Sequence, residues 1–301
     1  MSLAPDALRG SITPLITPFK NGAVSDEEYA ALVERHIVEG GHGVLVNGTS
    51  AEPSTLSVGE RNRLVDIAVR IAKGRTCVVA ATGSQSHAET VALTEHAARA
   101  GVDALLIVTP YYIRPPQRGL VEYFADLGKR SDLPLLIYHI PGRAAVTVEI
   151  DTLCRIRDAA PTLVGMKHAA QELGLVTEAL KRLGHDFRIF VGLEELSFPM
   201  LALGACGLMN AVGNLVPKRI ADLFDAVARG DLAAGRRQHE GLFDLNRSVF
   251  FDTNPIPIKY MMKRLGLIER NEHRLPMVPA TVELERRLDV VLRNAGLLDA
   301  V

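Results

Sequence analysis

The sequence predicts an α/β protein: a (β/α)8 TIM barrel carrying a C-terminal extension of three helices. Two observations lead there. Eight short apolar runs recur along the chain, each followed by an amphipathic, helix-like stretch. The units repeat at a spacing of roughly 25–30 residues, which fits a barrel of about 250 residues. The runs are continuous rather than alternating, as expected of parallel strands covered on both faces.

The strands are expected at 10–19 (GSITPLITPF), 43–48 (GVLVNG), 76–82 (TCVVAAT), 104–110 (ALLIVTP), 134–140 (PLLIYHI), 163–169 (LVGMKHA), 187–192 (FRIFVG) and 207–214 (GLMNAVGN). Ser25 and Glu28 have the S-x-x-E spacing of a capping box ahead of the first helix. The helices SVGERNRLVDIAVRIAKG and SHAETVALTEHAARAG end in glycine, a common helix stop. The barrel occupies residues 1–229. Residues 230–301 hold three further helical patterns, expected to pack on the barrel as part of one structural unit. A doubly wound open sheet is the competing architecture, but it needs a glycine-rich phosphate loop after the first strand. The first strand instead runs TPLITPFKNG, with two prolines and no such loop.

Composition narrows the function. The 301 residues are 48% hydrophobic, enough for a large core, and 34 basic and 35 acidic side chains leave a formal charge of −1. They are well mixed, so neither nucleic acid nor an anionic membrane surface is an expected partner. No apolar run approaches the roughly 20 residues of a membrane span. The N-terminal MSLAPDALRG lacks a basic-then-apolar signal pattern, so a cytoplasmic location is expected. Cys77, Cys154 and Cys206 are far apart in apolar sequence, which favours buried free thiols over disulfides or a zinc site.

A barrel places its chemistry at the C-terminal ends of the strands. There the apolar runs break into NGTSAEPSTL, TPYYIRPP, YHIPGR and, after the sixth strand, Lys167. The opposite ends, GHG, KGRT, AGVD and SDLP, are ordinary. A lysine ending an interior strand is poorly solvated, which favours its free amine. Such an amine condenses with a ketone to an imine that acidifies the neighbouring carbon. The alternative is a lysine that extends its head to the rim and pairs with a carboxylate. Tyr138 ends the adjacent strand and could relay protons to that carbon, or be a core tyrosine with its hydroxyl satisfied at the rim. The turn Gly48-Thr49-Ser50 offers hydroxyls and backbone N–H groups to a small carboxylate.

Together GTSAE, TPYY, YHIPGR and GMKHA, in this order and spacing, resemble the dihydrodipicolinate synthase / N-acetylneuraminate lyase family, and the resemblance covers essentially the whole chain. It implies a lyase of the class I aldolase type, in which Lys167 forms an imine with pyruvate and no other cofactor or metal is needed. By the same resemblance Tyr138 shuttles protons, and Thr49 and Ser50 hold the pyruvate carboxylate. Thr49 also links Tyr138 to Tyr112 of a neighbouring subunit, so a tight homodimer, paired into a homotetramer, is implied. Arg143 matches an arginine that binds the carboxylate of aspartate semialdehyde, which leans toward the synthase branch and lysine biosynthesis; a rim ion pair is the alternative. Met209 falls where a backbone carbonyl lines the pyruvate pocket.

Three departures from the family pattern stand out. Ala51 replaces a glycine and Pro53 follows Glu52; if that glycine position has positive φ, alanine is penalised there. His168 replaces an acidic residue, either titrating beside the imine or facing the outer helices. Val58 and Arg61 stand where lysine-inhibited synthases carry histidines, although Gln85 and Glu89 remain, so feedback by lysine is not expected. A 2-keto-3-deoxy sugar acid aldolase or dehydratase is the alternative activity, and a silent keto-acid-binding barrel the alternative of another class.

Overall fold

The structure is a computed structural model that describes residues 8–299. The N-terminal stretch read for a signal pattern lies, through residue 7, outside them. The strands are β1 (Gly10–Pro14), β2 (Phe19–Lys20), β3 (Ala23–Val24), β4 (Gly43–Val46), β5 (Cys77–Ala81), β6 (Ala104–Val108), β7 (Leu135–His139), β8 (Leu163–His168), β9 (Arg188–Val191) and β10 (Gly207–Leu208). β1 and β4–β10 pair side by side in parallel, and β10 closes back on β1 into a barrel. Strands β2 and β3 form a small antiparallel ribbon outside it. All eight expected strands are present, and the extension carries helices Leu232–Ser248, Ile256–Arg264 and Val282–Asn294.

The side chains sort by alternation. Ile12, Leu45, Val79, Leu106, Leu136 and Phe190 fill the barrel interior, while Val44, Val78, Leu105, Ile137 and Ile189 pack outward against the helices. Strand β8 contains one break in this rule. Leu135 of β7 pairs with Leu163, but Leu136 pairs with Gly165, so β8 carries one extra residue at Val164-Gly165. Val164 faces in and Met166 faces out. The bulge therefore changes the parity of the strand, and Lys167 points into the barrel where an unbroken strand would have pointed it out.

Three local expectations are corrected. The Ser25–Glu28 capping box does not form. Glu28 instead accepts the Glu269 backbone N–H at 2.7 Å, a bond to the extension that competes for the same carboxylate. A capping box does form between Ser57 and Glu60. The eighth strand stops at Leu208, and Ala211–Asn214 is a 3-10 turn. There the Asn214 side chain accepts from Ile16 N–H and donates to the Pro14 and Ala211 carbonyls, replacing strand pairing. The three cysteines are free, as expected, but half-buried rather than fully buried.

Candidate active site at the barrel mouth

The loop after β4 is shaped by its backbone. Thr49–Ala51 form a 3-10 turn, and the left-handed residue is Glu52, with φ 54°. Ala51 is outside the left-handed region, so its methyl carries no conformational penalty. Its carbonyl accepts the Thr17 hydroxyl at 2.8 Å. Glu52 is held from the extension: Lys259 Nζ lies 2.8 Å from one carboxylate oxygen and His273 Nδ1 lies 3.1 Å from the other. Asn254, from the same extension, donates to Ser50 Oγ at 3.1 Å.

Tyr138 and Lys167 are register partners on β7 and β8. The Lys167 side chain is only 3% exposed, and its Nζ lies 4.4 Å from the centre of the Tyr138 ring. Among the described residues Nζ makes no hydrogen bond or ion pair, so the lysine is not a rim residue neutralised by a carboxylate. The Tyr138 hydroxyl lies 3.3 Å from Thr49 Oγ1. A small cavity of about 40 Å³ is lined by Lys167, Tyr138, Thr49, Ser50, Glu194 and Met209. Beside it lies a larger cavity of about 510 Å³, and Thr49, Tyr138, Arg143 and Asn254 line both. Arg143 sits on the short helix Pro141–Ala144, exposed and without an ion pair among the described residues, so the rim-pair alternative is not what the structure holds.

Tyr112 is not part of its own chain's pocket. It is 86% exposed with φ 70°, whereas its neighbour Tyr111 lines the larger cavity. His168 does not sit beside the lysine amine. It faces outward, buried, with its Nδ1 3.0 Å from Nδ1 of His139 and the two rings stacked. Burial, then the neighbouring His168, pushes His139 down to about 4; burial also lowers His168. Arg61 is buried, pairing with Glu89 and donating to the Ala81 and Gly83 carbonyls. No group of three or more His, Cys, Asp or Glu among the described residues is placed to hold a metal ion.

Sequence reasoning missed Glu194, Asn254 and Lys259. Glu194 had a usable signal, an acidic residue just past the end of β9. Its side chain is 2% exposed, and burial pushes its carboxyl up to about 7. Asn254 and Lys259 reach the site from a segment with no barrel-strand position to mark them.

The family model described as the dihydrodipicolinate synthetase family matches residues 7–295. The chain belongs to this family. Its lyase-type enzymes include the 4-hydroxy-tetrahydrodipicolinate synthase of Thermus thermophilus, 41% identical over 291 residues, 96% of this chain and 97% of that protein. The counterpart from Aquifex aeolicus is 38% identical over 289 residues, 96% of this chain and 98% of that one. In structure, the dihydrodipicolinate synthase of Aquifex aeolicus matches with TM-score 0.94 at 38% identity, covering 96% and 98% of the two chains. The chloride-inhibited enzyme of Acinetobacter baumannii, solved with pyruvate, matches with TM-score 0.94 at 31% identity, covering 97% and 100%. Family membership and barrel thus agree with the resemblance carried by the four motifs.

Proposed function

We propose that this enzyme condenses pyruvate with an aldehyde bearing a carboxylate, aspartate semialdehyde being the candidate that its synthase relatives suggest. The observation that carries the reading is the buried, unpaired amine of Lys167 held against Tyr138, itself within reach of Thr49. Pyruvate enters the small cavity with its carboxylate at Thr49 and Ser50. Its keto carbon bonds to Lys167 Nζ and loses water to give the imine, the electron sink of the reaction. Tyr138 takes a methyl proton, passing it toward Thr49, and the resulting enamine attacks the aldehyde in the larger cavity. The exposed guanidinium of Arg143 anchors the aldehyde's carboxylate by paired, charge-assisted hydrogen bonds. The backbone at Met209 bounds the small cavity. Release of the product by hydrolysis or cyclisation returns the free lysine, so Lys167 supplies the electron sink without a further cofactor.

Tyr112 supports an oligomeric reading. A tyrosine so exposed, in a left-handed backbone conformation uncommon for its type, is suited to reach a neighbouring subunit's Thr49–Tyr138 pair in a tight homodimer or a dimer of dimers. No helix among the described residues is long and apolar enough to cross a membrane. With the family's biosynthetic enzymes in view, a cytoplasmic setting in lysine biosynthesis is the one we propose.

Incubation with pyruvate and borohydride, followed by intact mass, tests the core of this reading: a reduced pyruvyl adduct on Lys167 is expected. A chain that gains no adduct is a silent binder. Turnover of aspartate semialdehyde is then compared with a panel of 2-keto-3-deoxy acids. Preference for the latter replaces the synthase assignment by a sugar-acid aldolase.

A further inference from the structure

Glu194 is a buried carboxylate that the scheme above leaves without a task. It follows β9 in the turn Glu194–Leu196 and lines the same small cavity as Lys167. One of its oxygens accepts the Ala211 N–H at 2.6 Å; the other, Oε2, has no partner among the described residues. Its own carbonyl accepts from Ser197 Oγ at 2.7 Å and from Asn246 Nδ2 at 3.4 Å, so the turn is anchored on both sides. Lys167 and Glu194 form no ion pair, and both line the cavity. A lysine without a hydrogen-bond partner among the described residues and a carboxylate with one unpaired oxygen thus line the same cavity.

That space, about 40 Å³, is large enough for a water molecule and is lined by several polar side chains. Resting on the Schiff-base reading above, we propose that Glu194 is the proton acceptor that discharges the Lys167 ammonium through solvent in this cavity, and the donor that later expels the hydroxyl of the carbinolamine. The proton count closes. The ammonium gives one proton to the Glu194 carboxylate, leaving a free amine and a neutral carboxylic acid. The amine's lone pair forms the C–N bond while the keto π pair moves to oxygen, and a proton moves from nitrogen to that oxygen. The carboxylic acid then returns its proton as the C–O bond breaks. Water leaves, the iminium forms, and the carboxylate is restored.

Glu194 is suited to both tasks because its burial makes it a carboxyl that exchanges its proton near neutral pH, held there chiefly by loss of solvation. The other charged and titratable groups facing it are few. Lys167 from β8 favours its ionised form, and Glu195 on its own turn opposes it. Glu195 is itself paired with Arg247 of the extension at 3.5 Å. Tyr138 and Arg143 line the same cavity from the β7 side. Glu194 thus exchanges its proton with the amine and the carbinolamine through solvent.

The test is the pH dependence of imine formation, followed by borohydride trapping of pyruvate on the full chain. The wild-type rate should fall on the acid side of an ionisation near neutrality. In Glu194→Gln, which retains the acceptor for Ala211, that limb should vanish. The trapping rate above neutrality should drop about 100-fold, the lower end of acid–base contributions, while the final adduct mass is unchanged. Glu194→Asp should restore a titrating limb. A Gln variant that keeps the wild-type limb overturns the proposal while leaving the Schiff base intact; a wild type that gains no adduct overturns the earlier reading instead. If the Gln variant does not fold, infrared difference spectra of the wild type decide. Pyruvate addition should change the band of a buried protonated carboxyl, and no change there overturns the assignment.

Discussion

Gly165 of β8 stands so close to Arg188 of β9 that a β-carbon on the glycine would overlap the Arg188 carbonyl oxygen. The contact falls at the bulge that turns Lys167 inward. Backbone cannot yield as a flexible side chain can, so Gly165→Ala should separate the strands or erase the bulge. We expect a loss of about 3 kcal/mol or more, as for severe overpacking, together with loss of the borohydride-trapped pyruvate adduct. Thermal unfolding and intact mass check the two effects. A stable variant that still forms the adduct would show that the bulge does not set the lysine's direction.

The Tyr138 hydroxyl, 3.3 Å from Thr49 Oγ1, gives a second expectation. Lys167→Ala should abolish the adduct altogether. Tyr138→Phe should retain slow imine formation but lose about 10²–10⁴-fold in kcat, the usual contribution of an acid–base group. Steady-state rates measured beside trapping separate the two roles; an unchanged kcat removes Tyr138 from the scheme.

Arg143 lines both cavities without a protein carboxylate to hold it. Replacing it with alanine should raise the KM of the carboxylate-bearing aldehyde about 10–100-fold, the loss of one charged hydrogen-bonding partner, with little change in the KM of pyruvate. Equal effects on both substrates would deny it the anchoring role.

Lys259 joins the extension to the active-site loop through Glu52, at 2.8 Å with both side chains buried. Lys259→Met leaves that buried carboxylate with His273 as its remaining partner and should cost about 3 kcal/mol. Adding Glu52→Gln should recover part of the loss, as a double-mutant cycle in chemical denaturation would show. Full additivity would mean that the two do not act as a pair.

The stacked His139 and His168 predict an acid-side loss of stability. His139 is held down to about 4, first by burial and then by His168, whereas an unfolded histidine titrates near 6.5. Between those values the unfolded chain binds the extra proton, so stability falls as pH drops through this window and is fully present above it. The span corresponds to about 3 kcal/mol. His139→Leu should flatten the decline in unfolding free energy between pH 6.5 and 4, measured against wild type. An identical slope would exclude the pair as its source.

Much of this protein is written along the chain. Eight apolar runs specify parallel strands because each must be covered on both faces, and the same logic puts polar breaks such as Thr49, Tyr138 and Lys167 at one end of the barrel. The four motifs were enough to name the family. What the linear order left open were matters of direction and distant contact. The parity of β8 turns on one extra residue, which moved Lys167 inward and His168 outward. The identity of the left-handed residue, Glu52 rather than Ala51, depends on partners more than 200 positions away in the extension. The burial of Glu194 and Lys259 and the approach of Asn254 to the site are likewise invisible to local pattern, because desolvation and pairing belong to the assembled barrel and not to any segment of it.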